Sequence, residues 1–275
     1  MTEQQSDRRF TVAAVQMVST PDPVENRQTA ARLVREAAAA GAQVVVLPEY
    51  WAILGRKETD KLDLAEPFGD GPLQGFMSAI AKECGIWLLG GTVPLVSDDP
   101  SRVLNTLLAY GPTGELAGRY DKIHLFGFTR DDESFDESRT IVPGNEVVVL
   151  RTPFARIGLS ICYDLRFPEL YRAMGDCDLM VLPAAFTHTT GRAHWEVLLR
   201  ARAIENQCFV LAAAQGGLHP NGRRTWGHSM LVDPWGEIRG QLPEGEGVVT
   251  GEVDTDRLDS VRSSLPALQH RKLSI

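Results

Sequence analysis

A cysteine that acts as a nucleophile needs a proton acceptor, a cation that favours charge at its sulfur, and donors for a developing oxyanion. Cys162 is placed for such work. The mostly apolar run 157–161 leads straight into it, Tyr163, Asp164, Arg166 and Phe167 follow at once, and Pro168 opens a helix ahead of Glu169. A thiol between a buried strand and a helix is held on a rigid element beside helix-terminal N–H groups, which favour the thiolate. Two further candidates stand at strand ends. Glu49 follows the all-apolar run 44–47, and Lys122 follows a hairpin turning at Gly111-Pro112-Thr113-Gly114. Strand ends on one edge of an α/β sheet converge. There the carboxylate would accept the thiol proton, and the ammonium would lower the thiol pKa. Taken singly, each residue also has a plainer reading: Cys162 as a small buried hydrophobe, Glu49 as a surface turn residue, Lys122 as an exposed lysine at a hairpin end.

The elements that must position these residues alternate early in the chain. Residues 11–17 read as a strand. Residues 26–41 read as an alanine-rich helix with Ala30, Leu33, Val34 and Ala37 on one face and Gly41 as its stop. Residues 44–47 suit a strand buried on both faces. A second helix, 72–84, has proline in its first turn and Gly85 after it, and a strand follows at 86–93. The hairpin 105–110 and 116–120 precedes Lys122. Residues 126–145, rich in acids, read as a long irregular loop, and such loops often carry function. Strands at 146–150, 155–161, 178–182 and 208–214 alternate with helices ending near 174 and spanning 192–206. On the second of these, Trp195, Leu198 and Leu199 form an apolar patch that suits a core or a subunit interface equally. Glu196 and Arg200 sit four apart on its exposed side. Segments 227–232 and 237–240 pair around Asp233-Pro234-Trp235-Gly236, and 248–253 is a last strand before a short helix and a polar tail. No linker, composition shift or short-period repeat divides the chain. The expectation is one α/β domain over 1–275, with a core at about 10–260, a tail at about 261–275, and a mixed sheet or two packed sheets.

Composition narrows the partners. With 43% hydrophobic and 23% charged residues, the 275-residue chain can bury a sizeable core. A net charge of −8 argues against a nucleic-acid backbone or an anionic membrane surface, since both need a cationic face. No apolar run approaches the roughly 18 residues of a membrane span. The polar start, read as a short disordered lead, lacks the apolar segment of a secretory signal. Cys84, Cys162, Cys177 and Cys208 fit neither a zinc ribbon nor a compact disulfide framework. They predict free thiols in a reducing, cytoplasmic setting, with Cys84, Cys177 and Cys208 as core. No metal or cofactor is expected: His188 and His194 lack a third ligand, and no phosphate-binding glycine loop is present. A Cys/His dyad through either histidine is a rival, but nothing in the sequence fixes their rings near Cys162.

Leu47-Pro48-Glu49-Tyr50, Tyr120-Asp121-Lys122-Ile123-His124-Leu125 and Cys162-Tyr163-Asp164-Leu165-Arg166-Phe167-Pro168-Glu169 resemble the three motif regions of the nitrilase superfamily of carbon–nitrogen hydrolases, in order and in separation. The likeness runs over about residues 10–272, and three ordered motifs are far more specific than one. The resemblance implies a four-layer α-β-β-α sandwich with two packed mixed sheets, commonly paired, and so a homodimer or higher homo-oligomer. It also implies roles. Cys162 attacks and forms a thioester, Glu49 moves the protons, and Lys122 stabilises the oxyanion with the backbone N–H of Tyr163. Glu137, in the loop after Lys122, matches a second glutamate that commonly lines the pocket.

The residues after Cys162, together with 194–205, 212–215, 227–230, 233–236 and 269–271, are similar to the Nit amidase branch. Nitrile-cleaving members commonly carry Trp-Glu after the cysteine. The branch implies a small-molecule amide with an α-keto carboxylate. One such substrate is a glutathione whose amino group has become a keto group, cut to 2-oxoglutarate and cysteinylglycine; another is 2-oxoglutaramate. N-carbamoyl amino acids and nitriles stand further off, and a catalytically silent scaffold is the non-enzyme alternative. A keto acid suits a guanidinium, and Arg166 is the candidate, against a structural ion pair with Glu169 or Asp164. Thr187 and His188 would line the same pocket or belong to an ordinary loop.

Overall fold

Along the strand Arg9–Gln16, Phe10, Val12 and Ala14 join one buried cluster and Ala13 and Val15 another. Side chains alternate across a strand, so this one is covered on both faces and must lie inside a layered fold. The computed structural model describes residues 8–130 and 133–273. Residues 1–7 of the expected lead, and Asp131 and Asp132 of the acidic segment, lie outside the described residues. The first face of Arg9–Gln16 packs with Leu179, Val181 and Leu211 of a second sheet. The other meets helices α1 (Pro23–Ala39) and α2 (Pro72–Cys84) through Leu33, Val34, Met77 and Ile80.

Among the described residues the first sheet has eight strands, ordered Gly247–Asp254, Arg9–Gln16, Val44–Val46, Trp87–Leu89, Val103–Tyr110 and Val93–Val96. Leu116–Asp121 and Ile141–Val142 also pair with Val103–Tyr110. The second sheet orders Val149–Arg151, Arg156–Leu159, Leu179–Ala184, Phe209–Ala214, Ser229–Val232 and Ile238–Leu242, and its Arg156, Leu179 and Phe209 strands run parallel. Helices α3 (Pro168–Ala173) and α4 (His188–Asn206) bury Leu170, Tyr171, Trp195 and Leu199 with this sheet. A last helix, α5 (Thr255–Ser264), follows the edge strand that pairs antiparallel with Arg9–Gln16. The layers are α-β-β-α, as the resemblance implies. No helix among the described residues is long and apolar enough to cross a membrane.

Four differences from the sequence reading have local causes. Helix α1 begins three residues earlier than expected, because Asp22 accepts from the Val24 and Glu25 N–H groups and Pro23 fits the first turn. Helix α4 begins at His188 rather than 192, because Thr187 Oγ1 accepts from the Thr190 N–H at 3.3 Å. The segment 126–145 is not an irregular loop. Gly127–Arg130 pairs with Glu133–Asp136, Ile141–Val142 extends the first sheet, and Phe126 packs on Phe128 and Phe135. The strand expected at 86–93 is two, divided at Gly90-Gly91. Gly91 has φ 57°, and a Cβ there would meet the Pro48 carbonyl at 2.2 Å, so only glycine lets this chain pass behind Glu49. The patch on α4 is resolved too: Trp195 and Leu199 are core, with Leu198 partly buried against them.

Candidate active site

Glu49 and Lys122 leave strands of the first sheet, and Cys162 leaves Arg156–Leu159 of the second, so the site forms between the facing sheets. Lys122 is wholly buried, not the exposed hairpin-end residue of its plainer reading. Its Nζ donates to Glu49 Oε1 at 2.8 Å and to Glu137 Oε1 and Oε2 at 2.9 and 2.7 Å. Burial works against its ammonium, but the Glu137 and Glu49 carboxylates outweigh it and hold the pKa well above the usual lysine range. Burial pushes the Glu137 carboxyl up, and Lys122 more than reverses this, aided by the Phe126 N–H at 2.7 Å and the Tyr50 hydroxyl at 2.7 Å; the net direction is down. Glu49 also accepts from Asn105 Nδ2 at 3.0 Å and, from the second sheet's side, from the Ala185 N–H at 2.9 Å. Its carboxylate is therefore fixed by donors from both sheets.

Two buried carboxylates and one ammonium leave the site with a net negative charge. Burial raises the Cys162 thiol pKa, the Glu49 charge raises it further, and the opposing pull of Lys122 is smaller, so the net direction is well above the ordinary range. Lys122 does pull the thiol pKa down, as expected, but burial and the Glu49 charge outweigh it. The thiol is thus favoured in its protonated form beside the Glu49 carboxylate.

The Cys162 backbone sits at φ 49°, in the left-handed region that side chains seldom occupy. Asp164, two residues on in the 3₁₀ turn Cys162–Arg166, holds it there. Its buried Oδ2 accepts from the Ile161 N–H at 2.8 Å and the Tyr120 hydroxyl at 2.7 Å. Its Oδ1 accepts from the His124 N–H at 3.1 Å and lies 2.7 Å from His124 Nδ1. With both oxygens so used, Asp164 forms no pair with Arg166.

A cleft over Cys162 is lined by Phe126, Tyr163, Phe186, Thr187 and Thr190. Thr187 thus lines the cleft as well as capping α4. His188 is not among the lining residues; it packs edge-on against Trp226 at 5.2 Å. Arg166 meets His194 Nδ1 at 3.3 Å and lies over the rings of Tyr163 and Phe186, at 5.7 and 5.5 Å. It borders the cleft through these two rings, while Glu169 is exposed. The side-chain hydrogen bond at the thiol is made with Glu49. Among the described residues no group of three His, Cys, Asp or Glu side chains is placed to hold a metal ion.

Sequence reasoning missed Tyr50, Asn105, Asp164 and Gln215. Gln215 Nε2 donates to the Glu49 carbonyl at 3.1 Å and to Ser19 Oγ at 2.8 Å. Asn105 and Gln215 were open to detection as uncharged polar residues at the ends of apolar strand runs, where a buried amide demands partners.

Residues 11–263 match the family model for carbon–nitrogen hydrolases. The chain is 43% identical to a deaminated glutathione amidase of Yersinia enterocolitica, covering 85% of this chain and 83% of that protein. It is 38% identical to an omega-amidase of Xenopus tropicalis, covering 96% of this chain and 95% of that protein. Among solved structures it resembles the C. elegans NitFhit protein, with a TM-score of 0.87 and 37% identity over 96% of this chain; it spans 65% of that longer protein.

Proposed function

This chain belongs to the carbon–nitrogen hydrolase family and hydrolyses non-peptide carbon–nitrogen bonds, and we propose that Cys162, Glu49 and Lys122 carry the chemistry on deaminated glutathione. The observation that carries this reading is the buried bridge of Lys122 between Glu49 and Glu137 beside a thiol in a left-handed turn. The match over residues 11–263 supports one such domain. The free thiols among the described cysteines support a cytoplasmic setting, and the family's pairing of sandwiches supports a homodimer or higher homo-oligomer.

Cys162 Sγ attacks the amide carbon as its proton passes to Glu49, so no thiolate is needed at rest. The carbonyl oxygen becomes an oxyanion. Lys122 Nζ and the N–H of Tyr163, in the first turn of Cys162–Arg166 where N–H groups lack intrahelical acceptors, stabilise it. Glu49 then protonates the leaving nitrogen, the C–N bond breaks, and cysteinylglycine departs from a thioester. Water attacks the thioester, gives its proton to Glu49, and the C–S bond breaks to release 2-oxoglutarate and a sulfur that Glu49 reprotonates. Glu137 does not exchange protons in this scheme; it keeps Lys122 charged. Arg166 and Thr187 border the side on which the keto acid would lie, and the relative at 43% identity is named for this substrate.

The test is release of 2-oxoglutarate from deaminated glutathione, with 2-oxoglutaramate, N-carbamoyl amino acids and nitriles run beside it. Turnover of deaminated glutathione that disappears in Cys162→Ala is the expected result. Undiminished turnover by Cys162→Ala, or preference for a nitrile, would overturn the reading.

A further inference from the structure

Beside the active site, starting from Tyr50 next to Glu49, the chain builds a second, cationic cleft that the chemistry above does not use. Tyr50, Leu54, Lys57, Glu58, Lys61 and Arg223 line it. Lys61 is almost fully buried, with its Nζ 5.4 Å from the centre of the Tyr50 ring. The Glu58 carboxylate lies between two cations, with Oε2 3.2 Å from Lys61 Nζ and Oε1 3.3 Å from Arg223 Nη1. Its own side chain is 55% exposed, whereas Lys61 is 9% and Arg223 28% exposed. The better-buried partners are thus the cations, and the carboxylate is the exposed member. Asn221 Nδ2 donates to the Gly55 carbonyl at 2.7 Å, which fixes the Arg223 turn against the loop that carries Glu58.

The cleft adjoins the active site. Tyr50 follows Glu49 in the chain, and its hydroxyl reaches Glu137. A neighbouring cleft shares Tyr50 and Lys61 and runs to Asn105, which holds the Glu49 carboxylate. On the other flank, the Arg223 guanidinium lies 5.2 Å over Phe135, and Phe135 packs on Phe126, which lines the cleft over Cys162. Cations so near the triad, in a chain of net charge −8, make a local site where an anion is favoured, and Glu58 fills it in the structure.

We propose that Lys61 and Arg223 form a subsite for a carboxylate on the leaving amine, for which Glu58 is the resident stand-in. This rests on the reading that the chain hydrolyses deaminated glutathione. That substrate has a carboxylate at each end: the keto acid of the acyl part, which Arg166 would meet, and the terminal carboxylate of the cysteinylglycine part. When 2-oxoglutaramate is cut the leaving group is ammonia, and nothing reaches this subsite. The two substrates therefore differ in the part the second cleft would bind. An ammonium and a guanidinium spaced to hold one carboxylate suit such an end group. Glu58, at 55% exposure the member of the trio open to solvent, is the one whose displacement leaves no buried charge behind.

The experiment compares kcat/KM for deaminated glutathione with kcat/KM for 2-oxoglutaramate in wild type, Lys61→Met, Arg223→Met and Glu58→Gln. The ratio should fall about tenfold or more in each cation variant, as expected for one lost charge-assisted contact. It should rise in Glu58→Gln, where the competing carboxylate is gone. Glu58→Gln keeps the test open if the buried Lys61 variant folds poorly. Ratios within about twofold of wild type in Arg223→Met and Glu58→Gln would overturn the subsite while leaving the amidase reading intact. A wild type inactive on deaminated glutathione would remove both.

Discussion

Tyr50 donates its hydroxyl to Glu137 Oε1 at 2.7 Å from a backbone at φ 55°, so the residue after Glu49 reaches back to hold the second glutamate. One short loop thus fixes both carboxylates that flank Lys122. The strained backbone is anchored by the Tyr50 N–H on Thr92 Oγ1 at 2.9 Å.

Tyr50→Phe keeps the ring and removes this bond. The Tyr50 bond is one of the influences that hold the Glu137 carboxyl low, so its loss raises that pKa. We expect kcat to fall about tenfold and the acid limb of the kcat profile to move to higher pH. An unchanged acid limb would mean that Lys122 and the Phe126 N–H suffice to hold Glu137.

Cys162 should titrate late. With its thiol held well above the ordinary range, its alkylation rate should climb with pH past about 8.5 without levelling. Ultraviolet thiolate absorbance, taken as wild type minus Cys162→Ser, should be absent at neutral pH. A plateau near neutrality would show a preformed thiolate and remove Glu49 as the base for the first step.

Glu137 and Lys122 make opposite pH signatures. The folded Glu137 carboxyl is depressed, so its stabilising contribution is complete above the unfolded value of about 4.3 and is lost as pH falls through the folded one. The folded Lys122 is raised, so its contribution is complete below about 10.4 and is lost as pH rises through the folded value. Glu137→Gln should cost about 3 kcal/mol near neutral pH, as for breaking a buried pair. The gap from wild type in urea unfolding should narrow as pH falls below about 5. A gap constant down to acid unfolding would place its origin in packing rather than charge.

The meeting of Glu49, Lys122 and Cys162 was legible because each follows an apolar strand, and strand ends converge whatever the connections. Their electrostatics were not. The burial of Lys122 depends on carboxylates 73 and 15 residues away, and the Cys162 pKa depends on the balance of three charges that only the closed fold sets. The pairing of Gly127–Arg130 with Glu133–Asp136 was hidden by the acidic composition, since its apolar signal lies in Phe128 and Phe135 alone, packed on Phe126. The start of α4 was hidden because Thr189, Thr190 and Gly191 are poor helix formers, and only the Thr187 cap reveals the first turn.

Arg166→Ala should lower kcat/KM for α-keto acid amides about tenfold or more relative to a simple aliphatic amide, chiefly through KM. Arg166→Lys should recover only part, because an ammonium cannot pair with a carboxylate bidentately. Equal losses on both amide classes would assign Arg166 to packing on Tyr163 and Phe186, the rings it already covers.

Asp164→Ala should be the most damaging change that touches neither Cys162 nor Glu49. It leaves the Ile161 N–H, the Tyr120 hydroxyl and the His124 donors without their acceptor, in a site with no solvent exposure at Asp164. Unsatisfied buried donors cost about 1–3 kcal/mol each, so a loss of about 3 kcal/mol or more in urea unfolding is expected, with kcat falling as the Cys162 turn relaxes. Tyr120→Phe alone should cost about 1 kcal/mol. In the Asp164→Ala background the same change should cost almost nothing, because its acceptor is already gone. If the two losses add fully, the Tyr120 hydroxyl is not held by Asp164, and the pinning of the left-handed turn at Cys162 must be sought in Ile161 and His124 alone.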